Sequence, residues 1–487
     1  MILVIDVGTT GLRAAVVRPD GSVAASEPRP CTPTSPFPGL VEFDATALAT
    51  TALDATSAVL NRLGGPPIDG VGIATQRAST IVWERSTGKP IGPGLGWQDL
   101  RTVGECIAAR AEHALPLAPN QSATKIAWLL ANVAGDRDPA ELCFGTVDTW
   151  LVWALSGGAL HVTDHTNAAI TGLYSVASGG WNERNCELLG IPAEILPTIV
   201  DTSGVVGEAT AIDGAPPIAA LVGDQQGSLV GQGCIEPGMA KITFGTGGML
   251  DVCTGTTPPA VADRTANGTF PIVAWSLDGE RTWGSEAIML AAGSNVEWLQ
   301  HDLGMIDSPA ASHDLASTCD SADGVVYVPA LLGLGTPHWD YGARGTLLGV
   351  TRGTERRHVV RAVLEGVAHR GADLVDAAEA DSGLAIPSLR VDGGMSGNPT
   401  FVQALADATG KPVEVSPIVE ATTLGAAFLA GVAVGEWDDL ATACASRQPA
   451  RVVEPTQPTD RERARATWRR AIERTTGWIP ELSALDF

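Results

Sequence analysis

Two aspartates follow apolar runs that have the composition of buried strands, and both could carry chemistry. Asp6 ends the run MILVID, and Asp224 follows PIAALVG and opens the segment DQQGSLVGQ. Open α/β sheets usually place ligands at the carboxyl ends of such strands. A carboxylate there can hold Mg²⁺ together with waters, or it can take a proton from an attacking hydroxyl. The alternative role for each aspartate is structural, in an Asx turn.

Three glycine turns also follow apolar strands, in DVGTTGLR at 6–13, FGTGG at 244–248 and DGGMSGN at 392–398. Such turns let backbone N–H groups approach an anion closely, and the threonines of the first two add hydroxyl donors. One turn of this kind is more often only a tight turn, but three in one chain favour phosphate as the ligand. A P-loop is excluded, because STGKP and ATGKP continue to proline where that motif needs serine or threonine.

The composition excludes several classes of protein. The chain has 487 residues, of which 45% are hydrophobic and 18% charged, and this fits a folded, soluble protein of two domains. A formal charge of −24 argues against a surface for nucleic acid or anionic lipid, since phosphates are met by clustered lysine and arginine. Eight cysteines without a Cys-x-x-Cys spacing predict neither zinc nor disulfides, which fits the cytoplasm. No apolar run is long enough to predict a membrane span.

Alternating strands and helices must position these turns. ILVIDVGTTGLRAAVV and AKITFGTGGMLDV each predict a β-hairpin around a Gly-Thr turn, which suggests an internal duplication. Apolar residues recur at helical spacing in SATKIAWLLANV, which Ser122 opens as a predicted N-cap, and in ERRHVVRAVLEGVAHRGADLVDAA. The predicted fold class is therefore α/β, with a domain boundary at Pro237-Gly238.

Taken in order, these motifs resemble those of the FGGY carbohydrate kinases, and within that family they are most similar to those of glycerol kinases. The matching segments run from VIDVGTTGLRAAV to TTLGAAFLAGVAVGEW and include TQRAST, SATKIAWLL, GDQQGSLVGQ, KITFGTGG and VDGGMSGN. The resemblance implies two ribonuclease-H-like domains of the actin type around a central cleft. Residues 1–237 would bind the sugar or polyol and form the first phosphate turn, and residues 238–487 would bind adenosine and form the second.

The resemblance also implies an ATP-dependent carbohydrate or polyol kinase that uses Mg²⁺. Asp224 would be the base that takes the proton from the acceptor hydroxyl, and Asp6 and Asp224 would hold Mg²⁺, partly through water. The residues implied in binding ATP and its phosphates are Thr9, Thr10, Arg13, Gly245, Thr246, Gly393, Gly394 and Asn398. Those implied in binding the acceptor are Gln76, Arg77, Trp97, Asn120, Asp224, Gln225 and Met249. Such roles suit phosphoryl transfer, which depends mainly on positioning and on neutralising charge.

Three acceptor positions depart from the glycerol kinase pattern. Ala78 follows Arg77 where that pattern has a glutamate, Asn120 replaces a tyrosine, and Met249 replaces an aromatic residue. Loss of a charged hydrogen-bond acceptor costs about 1.5–3 kcal/mol when the partner hydroxyl stays buried, which is roughly tenfold or more in affinity. The pocket also becomes larger. We therefore predict a longer polyol or a related sugar, of about four or five carbons, in preference to glycerol.

Other functions stay open on the sequence alone: glycerol kinase proper, a ketopentose kinase of the xylulose type, a non-catalytic sensor of ATP and polyol, and an actin-like ATPase. HVTDH sets His161 and His165 four residues apart, but its β-branched residues predict a strand and loop, which give no shared face for a metal. The expected partners are a small polyol or sugar and a second copy of the chain in a homodimer, with no nucleic acid and no membrane.

Overall fold

The computed structural model describes residues 1–417, 420–445, 447–456 and 458–485. Strands and helices alternate along the chain. The strands before residue 230 are β1 (Ile2–Val7), β2 (Gly11–Val17), β3 (Val23–Pro30), β4 (Glu42–Phe43), β5 (Gly70–Thr75), β6 (Ile81–Glu84), β7 (Gly94–Leu95), β8 (Leu142–Gly145), β9 (Val162–Asp164), β10 (Tyr174–Ser175), β11 (Gly180–Trp181), β12 (Thr198–Val200), β13 (Ser203–Glu208) and β14 (Pro217–Gly223). The later strands are β15 (Ala240–Phe244), β16 (Gly248–Gly255), β17 (Phe270–Leu277), β18 (Glu280–Met289), β19 (Val326–Val328), β20 (Thr346–Leu348), β21 (Leu389–Asp392), β22 (Val413–Val415) and β23 (Arg451–Val453).

The helices include both of the amphipathic segments predicted from the sequence, as α3 and α10. They are α1 (Ala45–Arg62), α2 (Val103–His113), α3 (Ala123–Asn132), α4 (Val147–Leu155), α5 (His165–Ala168), α6 (Glu183–Leu188), α7 (Asp224–Gly231), α8 (Ser294–Glu297), α9 (Ala311–Ala316), α10 (Arg356–Ser382), α11 (Pro399–Thr409), α12 (Ala421–Ala433), α13 (Leu440–Cys444), α14 (Pro458–Thr475) and α15 (Pro480–Ser483). The segment HVTDH contains β9, which confirms the predicted strand, but His165 begins the short helix α5 where a loop was predicted. His161 precedes the strand, so the two histidines share no helical face.

One sheet of thirteen strands runs through the molecule, in the order β23-β22-β21-β15-β16-β18-β17-β13-β14-β5-β1-β2-β3. We call β13, β14, β5, β1, β2 and β3 the first half-sheet and the other seven strands the second half-sheet. The two halves meet where Ser203 of β13 pairs with Leu277 of β17. The sheet is therefore continuous from one half to the other.

The two half-sheets repeat one topology. In the first, β3, β2 and β1 are antiparallel neighbours, and β5 and β14 continue parallel to β1. In the second, β18, β16 and β15 are antiparallel neighbours, and β21 and β22 continue parallel to β15. The predicted hairpins and the predicted duplication are confirmed by this strand order.

Parallel pairing brings the candidate groups together, because parallel strands end at the same edge of a sheet. In the first half-sheet, Val7 of β1 pairs with Thr75 of β5, which pairs in turn with Gly223 of β14. Asp6, Arg77 and Asp224 therefore lie at one edge.

Helix α12 packs on the first half-sheet although it follows the strands of the second. A buried cluster joins Leu424 and Phe428 of α12 to Ile2, Val4 and Val222 of the sheet. Across the other half, α10 packs on β16 and β18. In the part of the chain that the structure describes, no helix is both long and apolar enough to cross a membrane.

Candidate active site

Helix α7 carries Asp224 and lies against α12 at very short distance. A Cβ built on Gly425 of α12 would lie 1.8 Å from the carbonyl oxygen of Gly227, and one built on Gly231 would lie 1.9 Å from that of Ala421. Only glycine permits so close an approach of two backbones. This explains the small residues that follow Asp224 in the sequence, and it fixes the helix that presents this acid.

Asp6 ends β1 and accepts a hydrogen bond from the hydroxyl of Thr423 on α12, at 2.8 Å. Burial raises the pKa of Asp6 to about 6; the Thr423 bond and Arg13 oppose this effect, and the charge of Asp224 adds to it. Asp6 and Asp224 stand at the same edge of the first half-sheet, with β5 between their strands. Two neighbouring carboxylates make a suitable donor set for a hard divalent cation such as Mg²⁺.

Asp224 is the first residue of α7, and 28% of its side chain is exposed. Its Oδ1 accepts from the backbone N–H of Gln225 at 2.8 Å and lies 3.5 Å from Nε of Arg77. Burial raises the pKa of Asp224, while the nearby Arg77 guanidinium lowers it. The carboxylate is therefore held in place, reaches solvent in the cleft and has raised basicity, as a general base requires.

The first glycine turn is tight and is held from two sides. The N–H of Gly8 donates to the carbonyl oxygen of Gly11 at 2.9 Å. Nε1 of Trp97 donates to the hydroxyl of Thr9 at 3.1 Å, and Arg13 forms an ion pair of 3.3 Å with Glu420. Thr10 is exposed at the tip. Trp97, which was predicted to bind the acceptor, therefore also supports Thr9, which was predicted to bind phosphate.

The second and third glycine turns lie side by side, because β15 and β21 are parallel neighbours. A Cβ on Gly393, whose φ is +83°, would lie 2.5 Å from the carbonyl oxygen of Phe244, the first residue of the second turn. Gly394 begins a short 3₁₀ turn. Asn398 caps α11 by accepting from the N–H of Phe401 at 3.1 Å, and its amide donates to Ser312 at 2.9 Å.

A segment that the sequence analysis missed supports the second turn. The carbonyl oxygen of Gly245 accepts from the N–H of Gly293 at 2.8 Å, and that of Thr246 accepts from Ala292 at 2.8 Å and from Ser294 at 3.2 Å. The hydroxyl of Ser294 is buried with no hydrogen-bond partner among the described residues. The sequence feature that could have identified this segment is the run of small residues AAGS, which follows the apolar end of β18.

Arg77 is the central group among the residues predicted to bind the acceptor. Its Nη2 donates to Oε2 of Glu286 at 2.6 Å, its Nη1 to Gln226 at 3.4 Å, and it lies 3.9 Å from Sδ of Met249. Gln76 is 6% exposed and accepts from the hydroxyl of Ser79 at 3.2 Å. Arg77 and Met249 are thus in contact, and their shared role at the acceptor stays a prediction.

Ala78 is 2% exposed and has a φ of +61°, in the left-handed region that non-glycine residues rarely adopt. Its carbonyl oxygen accepts from the hydroxyl of Ser122 at 3.0 Å. Ser122 holds the N-cap position of α3, as predicted, but its side chain makes no capping hydrogen bond. Its hydroxyl ties the α3 loop to the segment that contains Ala78 instead. Asn120 lies in the same loop and is exposed.

Three charged residues of the second half-sheet were not found from the sequence: Lys241, Asp251 and Glu286. Nζ of Lys241 donates to Oε1 of Gln225 at 2.7 Å, and Glu286 pairs with Arg77. Each belongs to a different strand, so no local motif connects them.

Two half-sheets of one topology, with acids and glycine turns where their strands end, define a two-domain ATPase fold of the actin and ribonuclease-H type. Residues 1–231 match the N-terminal domain, and residues 240–434 the C-terminal domain, of the FGGY family of carbohydrate kinases. The chain therefore belongs to that family.

Similar proteins agree with this assignment. A glycerol kinase of Aromatoleum aromaticum is 42% identical, over 98% of this chain and 99% of the relative. Glycerol kinase of Plasmodium falciparum with ADP has a TM-score of 0.91 and 30% identity, over 98% of both chains. Xylulose kinase of Lactobacillus acidophilus has a TM-score of 0.83 over 100% of this chain and 99% of its own, at 21% identity, which shows the fold alone.

The protein is a sugar or polyol kinase, an ATP-dependent phosphotransferase of the FGGY family. Its substrates are ATP and a small sugar or polyol.

Proposed function

We propose that the protein transfers the γ-phosphoryl group of ATP to a hydroxyl of a polyol or sugar larger than glycerol, of about four or five carbons. The observation that carries this proposal is Ala78, which is buried beside the acceptor residues where the glycerol kinase pattern has a carboxylate. Without that carboxylate, one hydroxyl of glycerol loses its charged partner, and alanine takes up less space than glutamate. A longer acceptor can fill this space.

Asp224 acts as the general base in this proposal. Its carboxylate takes the proton of the acceptor hydroxyl as the oxygen attacks the γ-phosphorus, and the bond to the leaving ADP oxygen breaks. Raised basicity from burial supports proton uptake, and Arg77 at 3.5 Å orients the carboxylate. Gln225 and Gln76 bind the other acceptor hydroxyls, and Trp97, whose only side-chain N–H donates to Thr9, offers its ring to the carbon chain of the acceptor.

Asp6 and Asp224 fit a Mg²⁺ ion, because both carboxylates lie at the same edge of the first half-sheet and oxygen donors suit this cation. The ion supplies neutralisation of charge on the phosphates of ATP. Backbone N–H groups of the first two glycine turns, with Thr9, Thr10, Arg13 and Thr246, bind the phosphates. Gly393, Gly394 and Asn398 line the adenosine site.

Glycerol kinase proper is the second candidate. The full-length relative at 42% identity bears that name, and the chain keeps Arg77, Trp97, Asp224 and Gln225 of the glycerol kinase pattern. A homodimer, the absence of nucleic acid partners, the domain boundary at residue 237 and a cytoplasmic location stay predictions.

The test is ADP release from ATP and Mg²⁺ with glycerol, tetritols, pentitols and ketopentoses. We expect the highest kcat/KM with a tetritol, pentitol or ketopentose and at least about a hundredfold loss of kcat in Asp224→Asn. Asp54→Asn, an exposed aspartate on α1, is the matched control. The highest kcat/KM with glycerol would reject the larger acceptor, and unchanged turnover in Asp224→Asn would reject the base.

A further inference from the structure

A row of buried charges crosses the face of the second half-sheet that is turned toward α7. Lys241 of β15 pairs in register with Asp251 of β16, and Asp251 pairs with Glu286 of β18. Side chains alternate along a strand, so these three point to one face, whereas Ile242, Leu250 and their neighbours form the core on the other. The three side chains are 0%, 0% and 7% exposed, respectively.

Both ends of this row contact acceptor-side residues of the first half of the molecule. At one end, Nζ of Lys241 donates to Oε1 of Gln225 at 2.7 Å. At the other, Oε2 of Glu286 accepts from Nη2 of Arg77 at 2.6 Å, and Arg77 is 3.5 Å from Asp224. Gln225 and Asp224 are consecutive, so the row meets the base from two directions.

The middle of the row offers a place for one proton. Nζ of Lys241 lies 2.7 Å from Oδ2 of Asp251, yet neither Asp251 oxygen has a well-aligned hydrogen-bond donor among the described residues. Glu286 lies directly opposite, and a proton on its carboxyl would supply that donor. Burial raises the pKa of Glu286 to about 7, against the effect of Arg77 and with the repulsion of Asp251. With Glu286 neutral, the cations Lys241 and Arg77 balance the anions Asp251 and Asp224.

We propose that Lys241, Asp251 and Glu286 are positioning residues for phosphoryl transfer, joined through a protonated Glu286. They hold Gln225 and Arg77, and through these residues Asp224, in place across the two halves of the molecule. The proposal rests on the proposed function in that Arg77 and Gln225 bind the acceptor. The row replaces solvent by fixed charges beneath the acceptor, and only a complete hydrogen-bonded row is stable when buried.

The kinetics of two Glu286 variants distinguish a positioning role from a general loss of folded structure. In Glu286→Gln the amide can donate to Asp251 and its oxygen can accept from Arg77, so kcat/KM for the acceptor should fall less than about fivefold. Glu286→Leu makes neither bond and should lose at least about thirtyfold, with KM for ATP changed less than about twofold. Equal loss in both variants, or no loss in Glu286→Leu, would overturn the proposal.

A double variant covers the case in which Glu286→Leu does not fold. Lys241→Met with Asp251→Leu replaces a buried ion pair by apolar residues of similar size, which proteins often tolerate. Gln225 then loses its donor, and KM for the acceptor should rise at least about tenfold. An unchanged KM in this folded double variant would reject the positioning role of the row.

Thermal melting against pH tests the shared proton without any acceptor. The charged groups that face Glu286 are Arg77 and Asp251, with Lys241 and Asp224 beyond them. A carboxyl with a raised pKa stabilises the folded state below its unfolded pKa near 4.5 and loses this contribution as pH rises through about 7. The Tm of the wild type should therefore fall more between pH 5 and 8 than that of Glu286→Gln.

The control for melting is Glu379→Gln, which breaks the 2.8 Å ion pair with Lys411 elsewhere in the same half of the molecule. Its Tm should follow the pH slope of the wild type. Identical slopes for wild type and Glu286→Gln would reject the shared proton. If instead the slopes differ as expected but no polyol or sugar is turned over, the proposed function fails while the buried row stands.

Discussion

Ala78 is the residue whose replacement tests the size of the acceptor most directly. Ala78→Glu restores a carboxylate beside Arg77, and we expect kcat/KM for glycerol to rise at least about tenfold relative to the longer acceptors. The reason is that a hydroxyl of bound glycerol regains a charged partner, while the added side chain fills the space that a longer chain would occupy. Steady-state kinetics on the same panel of polyols measures this ratio.

The matched control at this position is Ala78→Gly. Because φ of Ala78 is +61°, glycine relieves backbone strain without adding a carboxylate. It should leave the preference between glycerol and longer acceptors unchanged. A similar gain for glycerol in both variants would mean that backbone strain, and not the missing carboxylate, sets the preference.

The contact of α7 with α12 is the element-scale feature that holds the base. Gly425→Ala would place a methyl group 1.8 Å from the carbonyl oxygen of Gly227, so the helices must separate. We expect a loss of at least about 2 kcal/mol in stability, together with reduced kcat, because α7 carries Asp224 and α12 carries Thr423. Thermal melting and ADP release measure the two effects.

Gly104→Ala is the control for that substitution. Gly104 lies in α2, and a Cβ there has nothing within 4 Å, so alanine should raise stability by about 0.5–1 kcal/mol through helix propensity alone. If Gly425→Ala melted at or above the wild-type temperature, the close contact of the two helices would not exist in solution.

Local sequence patterns predicted the strands and helices, but they did not predict which side chains from distant segments the fold brings together. Asp6, Asp224 and the three glycine turns could be found because each stands at the end of an apolar strand, and parallel pairing then collects such ends at one edge. Lys241, Asp251 and Glu286 could not be found, since only the register of β15, β16 and β18 aligns them. Ser122 has the sequence of a cap, yet its hydroxyl bonds to Ala78, because the tertiary contact competes successfully with the helix end.

At the scale of the whole molecule, α12 makes the first half-sheet dependent on a segment from the second half of the chain. Leu424, Phe428 and Leu429 are buried against β1, β5 and β14, and each such side chain contributes about 1.5–3 kcal/mol when it is removed from water. A fragment of residues 1–237 would expose this face. We expect it to lack a cooperative melting transition and to bind a hydrophobic dye.

The same fragment joined through a flexible glycine-serine linker to residues 420–445 is the rescue, because it restores α12 without the second half-sheet. Cooperative melting and loss of dye binding should return in this fusion, since the apolar face of β1, β5 and β14 is covered again. A version of the fusion with Leu424 and Phe428 both changed to Ser should again fail. Cooperative melting of residues 1–237 alone would contradict the argument and would show that the boundary at residue 237 separates two units that fold independently.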